Sequence, residues 1–270
     1  MNSLTVSVHG ATGSQGSAAV RQLLAAGHRV RAVARRPQNL PPGAEAAPAD
    51  LLDIDALVAA YTGVDAVALQ LPMVFDDGAM AQVRAVLAAL EKAAVPRVVF
   101  NSSAALPEVP VGVPFIDARV LLVTELANVV ETAATVGPAA MYAENLAAPW
   151  SAPLVAAGEV RYPLPAEAAI PWVASDDVAA VMVETLTTDT PPAMQLVGGP
   201  EDLTGVQVGA VLGAKWQTVS PDEYEQLMRP YVGDAVAAGV AGSYRHLAPV
   251  PASIRRGTTS LKAWAATQSW

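Results

Sequence analysis

The sequence predicts an α/β fold, a doubly wound parallel sheet with a smaller C-terminal lobe. Three observations carry this. Strand-like and helix-like segments alternate through the first half of the chain, the pattern of a parallel sheet covered by helices. A glycine-rich turn separates the first strand from the first helix. After about residue 137 a series of prolines (Pro138, Pro149, Pro153, Pro163, Pro165, Pro171) breaks the chain into short pieces, which suits loops and small elements building a second lobe.

Taken in order, strands are predicted at 4–8, 29–34, 45–49, 66–71 and 97–101, each short and ending in turn or polar residues. The crossover from Gln15 to Ala26 reads as a helix with Val20, Leu23 and Leu24 toward the sheet and Gly27 as its C-terminal stop. Between the last two strands, Met80, Val83, Leu87 and Leu90 fall at i, i+3, i+7 and i+10, one apolar stripe of a helix. Further on, SDDVAAVMVETL reads as a helix capped by Ser175, AMQLVGG as a strand, and LTGVQVGAVLG as a helix capped by Thr204. The expected organisation is a cofactor domain over residues 1–140, with return elements near 170–200, and an interwoven substrate lobe over 141–270.

At 270 residues the chain is long enough to bury a substantial core. Its residues are 53% hydrophobic and 15% charged, without a run approaching the ~20 apolar residues of a membrane span. The first residues, MNSLTVSVHG, have no basic flank, so no signal peptide is expected. The absence of cysteine excludes disulfides, thiol catalysis and zinc–thiolate sites, and the whole fits a soluble cytoplasmic protein, a monomer or homodimer with no membrane partner. A net charge of −9 argues against a nucleic-acid partner. One local exception is that Arg29, Arg31, Arg35 and Arg36 place four of sixteen basic residues in eight positions, which suits an anionic ligand.

The segment LTVSVHGATGSQGSAAVRQLL carries Gly10, Gly13 and Gly16 between a strand and a helix. One glycine serves a tight turn, one a close approach of backbone to a pyrophosphate, and one a close helix–strand contact, while the helix N-terminus offers N–H groups to phosphate. In this context the loop reads as the dinucleotide fingerprint of a Rossmann-type domain, with Thr12, Ser14 and Gln15 among its contacts. An ordinary turn or another nucleotide such as S-adenosylmethionine is the alternative. A P-loop does not fit, because no Gly-Lys-Ser or Gly-Lys-Thr follows.

Dinucleotide enzymes that use NAD place an acid at the end of the second strand, and those that use NADP place arginine against the 2′-phosphate. Here the strand ends in Ala34, Arg35 and Arg36, which favours NADP(H), the alternative being a solvated turn. Asp50, followed by Leu51, is placed to accept from the adenine amino group or else to cap the next helix. Leu71 and Pro72, ending the fourth strand, and Asn101 and Ser102, ending the fifth, are expected on the nicotinamide side.

With these residues in place the chain resembles the NmrA-like group of atypical short-chain dehydrogenases, which includes NADPH-dependent quinone reductases and triphenylmethane-dye reductases. The resemblance is carried by HGATGSQG (9–16), VARRP (33–37), VVFNSSAAL (98–106), MYAENL (141–146), IPWVASDDVAAV (170–181) and LVGGPEDLTGVQVGAVLG (196–213), in order over nearly the whole chain. It implies an NADP-binding Rossmann domain and a C-terminal lobe that shapes the substrate pocket. The group holds reductases and also regulators that bind the dinucleotide without turning it over.

The departures concern chemistry. Classical short-chain dehydrogenases pair a tyrosine with a lysine four residues later, and none of Tyr61, Tyr142, Tyr162, Tyr224, Tyr231 and Tyr244 has one. The lysine that many NmrA-like proteins keep falls here near Leu121, with Arg119 the nearest basic residue. Where the family commonly has arginine and proline before MYAENL, this chain has Gly137, Pro138, Ala139 and Ala140, implying a smaller, more apolar pocket floor.

Hydride transfer to a quinone-like or conjugated aromatic acceptor survives these losses, since charge spreads over the π-system and positioning supplies most of the rate. Candidate residues around the nicotinamide are Ser102 and Ser103, with Tyr142 to stack on or hydrogen-bond the acceptor and Asn145 to orient its oxygen. For Tyr142 and Asn145 the alternative is a structural role at a lobe junction. His9 is expected to be a buried, hydrogen-bonded histidine rather than an acid, and His28 and His246 to be surface or loop residues. Neither a metal constellation nor a Gly-x-Ser-x-Gly elbow is present in the sequence. The reading is thus an NADPH-dependent reductase of a small conjugated molecule, with a non-catalytic NADP sensor of a partner protein, or an isomerase or cyclase, as alternatives.

Overall fold

The computed structural model describes residues 3–246 and 249–270, with only the backbone at His246, whose expected surface position lies outside the described side chains. The chain forms two compact units. The first comprises residues 1–137 and 178–195, and the second 138–177 and 196–270.

The first unit opens with β1 (Thr5–His9), α1 (Ser14–Ala25), β2 (Arg29–Ala34), β3 (Glu45–Pro48), α2 (Ile54–Tyr61), β4 (Ala66–Gln70), α3 (Gly78–Lys92), β5 (Arg97–Asn101), α4 (Pro114–Val129) and β6 (Thr132–Pro138). Strand order is β6-β5-β4-β1-β2-β3, every pairing parallel. This is the 3-2-1-4-5-6 order of a doubly wound nucleotide-binding sheet, which reverses direction between β1 and β4 and opens a crevice there at the carboxyl ends of the strands. The predicted strands at 29–34 and 97–101 are reproduced to the residue, and the other three shift or shorten by one.

β1 is buried along its whole length, as expected of a parallel strand covered on both faces. Val6 and Val8 point one way. The polar set Thr5, Ser7 and His9 points the other, and each is satisfied: the Thr5 hydroxyl accepts from Arg29, Ser7 Oγ donates to the Ala60 carbonyl, and His9 Nε2 pairs with the Tyr61 hydroxyl. The predicted stripe of α3 is confirmed, with Val83 and Leu90 buried and Met80 and Leu87 packed at the core margin. Gly27 lies just past α1 at φ +82°, the left-handed turn that a side chain would resist.

The second unit contains a 3₁₀ turn (Ala143–Ala147), α5 (Ala152–Ala156) and β7 (Glu159–Tyr162), the short pieces expected between the prolines. Then come α6 (Ser175–Thr187) and β8 (Met194–Gly198), both shared across the unit boundary. They are followed by α7 (Gly205–Leu212), β9 (Lys215–Thr218), α8 (Pro221–Val232), α9 (Asp234–Ser243), β10 (Arg255–Arg256) and α10 (Leu261–Ala265). β7 pairs with β9 and β10 with β8, both parallel. Thr204 and Gln207 close a capping box on α7, confirming that boundary. The expected Ser175 cap is not formed as predicted. Ser175 is the first residue of α6 and its N–H donates to Glu144 Oε1, because the chain enters the helix one residue earlier than the serine signal implies. The core of this unit is aromatic: Tyr162 meets Trp172, Trp216, Tyr224 and Tyr244 at centroid distances of 5.2 to 5.8 Å.

Among the described residues no helix is long and apolar enough to cross a membrane.

Candidate functional site

The crevice of the first unit begins at the glycine loop. Gly10 sits at φ +58°, and the Gly13 N–H returns to the Gly10 carbonyl at 2.8 Å, which folds the loop onto itself. A Cβ on Gly16 would lie 2.2 Å from the Gly10 oxygen and 2.7 Å from the His9 oxygen, both backbone atoms that have nowhere to go. Gly16 is therefore what lets α1 start against β1. At Gly13 an added Cβ would meet only the Gly10 oxygen, at 3.4 Å, so its outer side is open. α1 has no side-chain cap and no acid in its first turn, and Thr12, Gly13 and Ser14 are exposed. Uncapped N–H groups at the start of a twelve-residue helix, reached through exposed glycine backbone, form a donor cradle that fits a pyrophosphate.

The four clustered arginines divide in two. Arg29 donates from Nε and Nη2 to Thr5 Oγ1, and Arg31 from Nη1 to the Thr62 carbonyl at 2.7 Å, so both brace the sheet. Arg35 and Arg36, just past β2, are exposed, and among the described residues neither guanidinium enters a hydrogen bond or ion pair. Asp50 is exposed and its Oδ1 accepts from Leu52 N at 2.9 Å, while Asp53 caps α2. The helix-cap alternative for Asp50 thus belongs to the aspartate three residues on. Leu51 packs at the core margin.

On the other side of the switch point, Gln15 ties α1 to β5. Its Oε1 accepts from Asn101 Nδ2 at 3.0 Å and from Ser103 Oγ at 2.9 Å, and the Ser103 N–H donates to Asn101 Oδ1. Ser103 holds a left-handed backbone, φ +59°, in that clasp. Ser102 is buried, with its hydroxyl donating to the Ala104 carbonyl. Leu71 is buried and Pro72 exposed.

A residue set aside by the sequence reading joins these strand ends. Arg119, on α4, is 1% exposed. Its Nε donates to the Ser102 carbonyl at 3.0 Å, Nη1 to Phe115 at 2.9 Å, and Nη2 to Leu71 and Pro72 at 2.9 and 3.2 Å. Its Cζ lies 3.6 Å from the centroid of Phe115, whose ring stacks on Phe75. Burial lowers its pKa to about 9, so it stays cationic at neutral pH. In the sequence it stood out only as the basic residue nearest the missing lysine, and three of the four carbonyls it meets come from distant segments.

His9 is buried, as expected, and burial depresses its pKa to about 3, which leaves it neutral and unfit as an acid at physiological pH. His28 corrects the surface expectation: it is buried, and its Nδ1 accepts the Leu4 N–H because the turn after Gly27 folds it under the first strand.

Tyr142 and Asn145 fall in the second unit. Tyr142 is 4% exposed and pairs with Val173 through a backbone bridge, while Asn145 Nδ2 donates to the Tyr162 hydroxyl, itself bonded to that of Tyr244 at 2.6 Å. Glu144, between them, has its carboxyl pKa raised by burial, with the Ser175 N–H opposing the shift.

Residues 10–132 match a protein-family model described as NAD(P)H-binding, so this part of the chain is an NAD(P)H-binding domain. Solved structures share the fold across almost the whole chain. A nucleoside-diphosphate-sugar epimerase from Staphylococcus aureus is 17% identical, covering 97% of this chain and 99% of its own, with a TM-score of 0.71. An NADPH-dependent quinone oxidoreductase from Escherichia coli is 21% identical, covering 97% and 98%, with a TM-score of 0.69. NmrA, a negative transcriptional regulator, is 18% identical, covering 80% and 74%, with a TM-score of 0.62. The α/β fold expected from the NmrA-like resemblance is the fold found. Among curated proteins none matches.

Proposed function

With an NAD(P)H-binding domain as the premise, we propose that the protein is an NADPH-dependent reductase of quinone-like or conjugated aromatic molecules. The observation that carries the cofactor assignment is the pair of exposed, unengaged guanidinium groups of Arg35 and Arg36 at the end of β2, beside the uncapped N-terminus of α1. Arginine at this strand end meets a 2′-phosphate, and an acid there would have met the ribose hydroxyls. On this reading the start of α1 would hold the pyrophosphate and the ends of β2 and β3 the adenosine half, which would leave the ends of β4 and β5 to the nicotinamide half.

Bound NADPH supplies a hydride. The chain's part would be to bind and align: the loop from Gly10 to Gly16 would donate backbone N–H groups, Arg35 and Arg36 would hold the 2′-phosphate, and the Gln15–Asn101–Ser103 clasp would form the floor. No tyrosine has the lysine four residues on that would help it protonate an alkoxide, which favours acceptors whose charge is delocalised and protonated from solvent. Tyr142 and Asn145, the acceptor-side candidates from the sequence, lie in the second unit, where Asn145 Nδ2 donates to the Tyr162 hydroxyl.

NADPH consumption over a panel of quinones, dyes and conjugated ketones tests this. Turnover on at least one quinone, faster with NADPH than NADH, is the expected result. Tight NADPH binding without turnover on any acceptor would replace it by the second reading, a redox sensor, which the commitment of Asn145 to Tyr162 supports.

A further inference from the structure

We propose that Arg119 is a positioning residue for the nicotinamide half of the cofactor, acting through the backbone at the ends of β4 and β5. Its guanidinium fork spans three segments that are far apart in sequence. It holds the carbonyls of Leu71 and Pro72 after β4 and of Ser102 after β5, and is anchored to its own helix at Phe115. The Phe75–Phe115 stack, rings 4.8 Å apart and 14° from parallel, extends the brace to the loop leading into α3. A buried cation is costly unless its donors are satisfied. Here four carbonyl dipoles do this in place of a carboxylate, and the result is that two loops adjoining the crevice are locked to one rigid, planar group. The same guanidinium thus fixes the Leu71–Pro72 turn and the peptide preceding Ser103, which itself sits in the clasp with Gln15.

The inference rests on the cofactor orientation proposed above. In that orientation Arg119 braces only the wall beneath the nicotinamide half. The adenosine half depends on Arg35, Arg36 and the glycine loop, to which Arg119 makes no contact.

Two probes separate the halves: NADPH, and 2′,5′-ADP, which carries the adenosine 2′-phosphate without nicotinamide. Their dissociation constants are measured for wild type, Arg119→Met and Arg119→Lys, with thermal unfolding of each. Arg119→Met is expected to bind NADPH about tenfold more weakly or worse while holding 2′,5′-ADP within about twofold. Arg119→Lys, keeping the charge but not the planar fork, is expected to fall between. Equal loss of both probes, or loss of neither, overturns the inference, because a merely structural role would not distinguish the two halves. If Arg119→Met does not fold, the lysine variant decides by the same split. Wild-type protein that binds NADPH but not 2′,5′-ADP overturns the assigned orientation and the inference with it.

Discussion

The carboxyl edge of the first unit presents arginine at two places and uses it in opposite ways. At the end of β2, Arg35 and Arg36 stand in solvent with no hydrogen-bond or ion-pair partner among the described residues. At the ends of β4 and β5, Arg119 is sealed and its donors are taken by backbone. An exposed guanidinium without a partner costs the fold nothing and keeps its full capacity for an anionic ligand. A buried one has exchanged that capacity for rigidity. The difference teaches that arginine near a crevice identifies a ligand contact only where its donors are unclaimed, and Arg29 and Arg31, six and four residues before Arg35, fall on the claimed side.

The largest test removes the loop on which the pyrophosphate is proposed to rest. Gly16→Val drives side-chain atoms into the Gly10 and His9 carbonyls, and NADPH affinity is expected to fall by about 1,000-fold or more, roughly 4 kcal/mol. Titration by cofactor fluorescence reads it, and retained binding would show that the loop is not the pyrophosphate site. Next, Arg35→Ala with Arg36→Ala is expected to weaken NADPH about 10- to 100-fold for each charged hydrogen bond lost, ~1.5 to 3 kcal/mol, and to leave NADH nearly untouched. Equal weakening of both cofactors would erase the contrast between free and claimed arginine.

A third test asks whether buried cations or neutral groups control acid stability at this edge. His9 has a folded pKa near 3 against an ordinary 6.5, so its contribution is complete above pH 6.5 and is lost as pH falls toward 3. Within that window stability should fall by at most about 1.4 kcal/mol per pH unit. Denaturant unfolding of wild type and His9→Asn between pH 4 and 7 measures this, and identical slopes would remove His9 from the account. Smallest is Arg31→Ala, expected to cost about 1 kcal/mol, a few degrees of Tm, with the NADPH-to-NADH preference unchanged.

Much of this was legible before any coordinates because it is local. The glycine loop follows from backbone demands within seven residues, and two strands were located to the residue because apolar runs end abruptly at turn residues. The proposed 2′-phosphate site was legible because two arginines directly follow a strand end. What was hidden depends on contacts distant in sequence. Arg119 was visible only as the nearest base to a missing lysine, since the carbonyls it meets come from segments 17 and 47–48 residues away. His28 looked external because nothing in its own stretch shows the Leu4 N–H above it. Asp50 was ambiguous because two aspartates, three residues apart, share one turn and only geometry divides their roles.

The clasp at Gln15 has a thermodynamic consequence. Its side-chain oxygen accepts two hydrogen bonds, from Asn101 and Ser103, so the crevice floor is held by the chain's own side chains. Binding then freezes little additional chain, and the entropic penalty of association falls mainly on the ligand. Encounter rather than rearrangement should set the association rate, and amide exchange at residues 101–103 should be slow in the free protein and hardly slower in the complex.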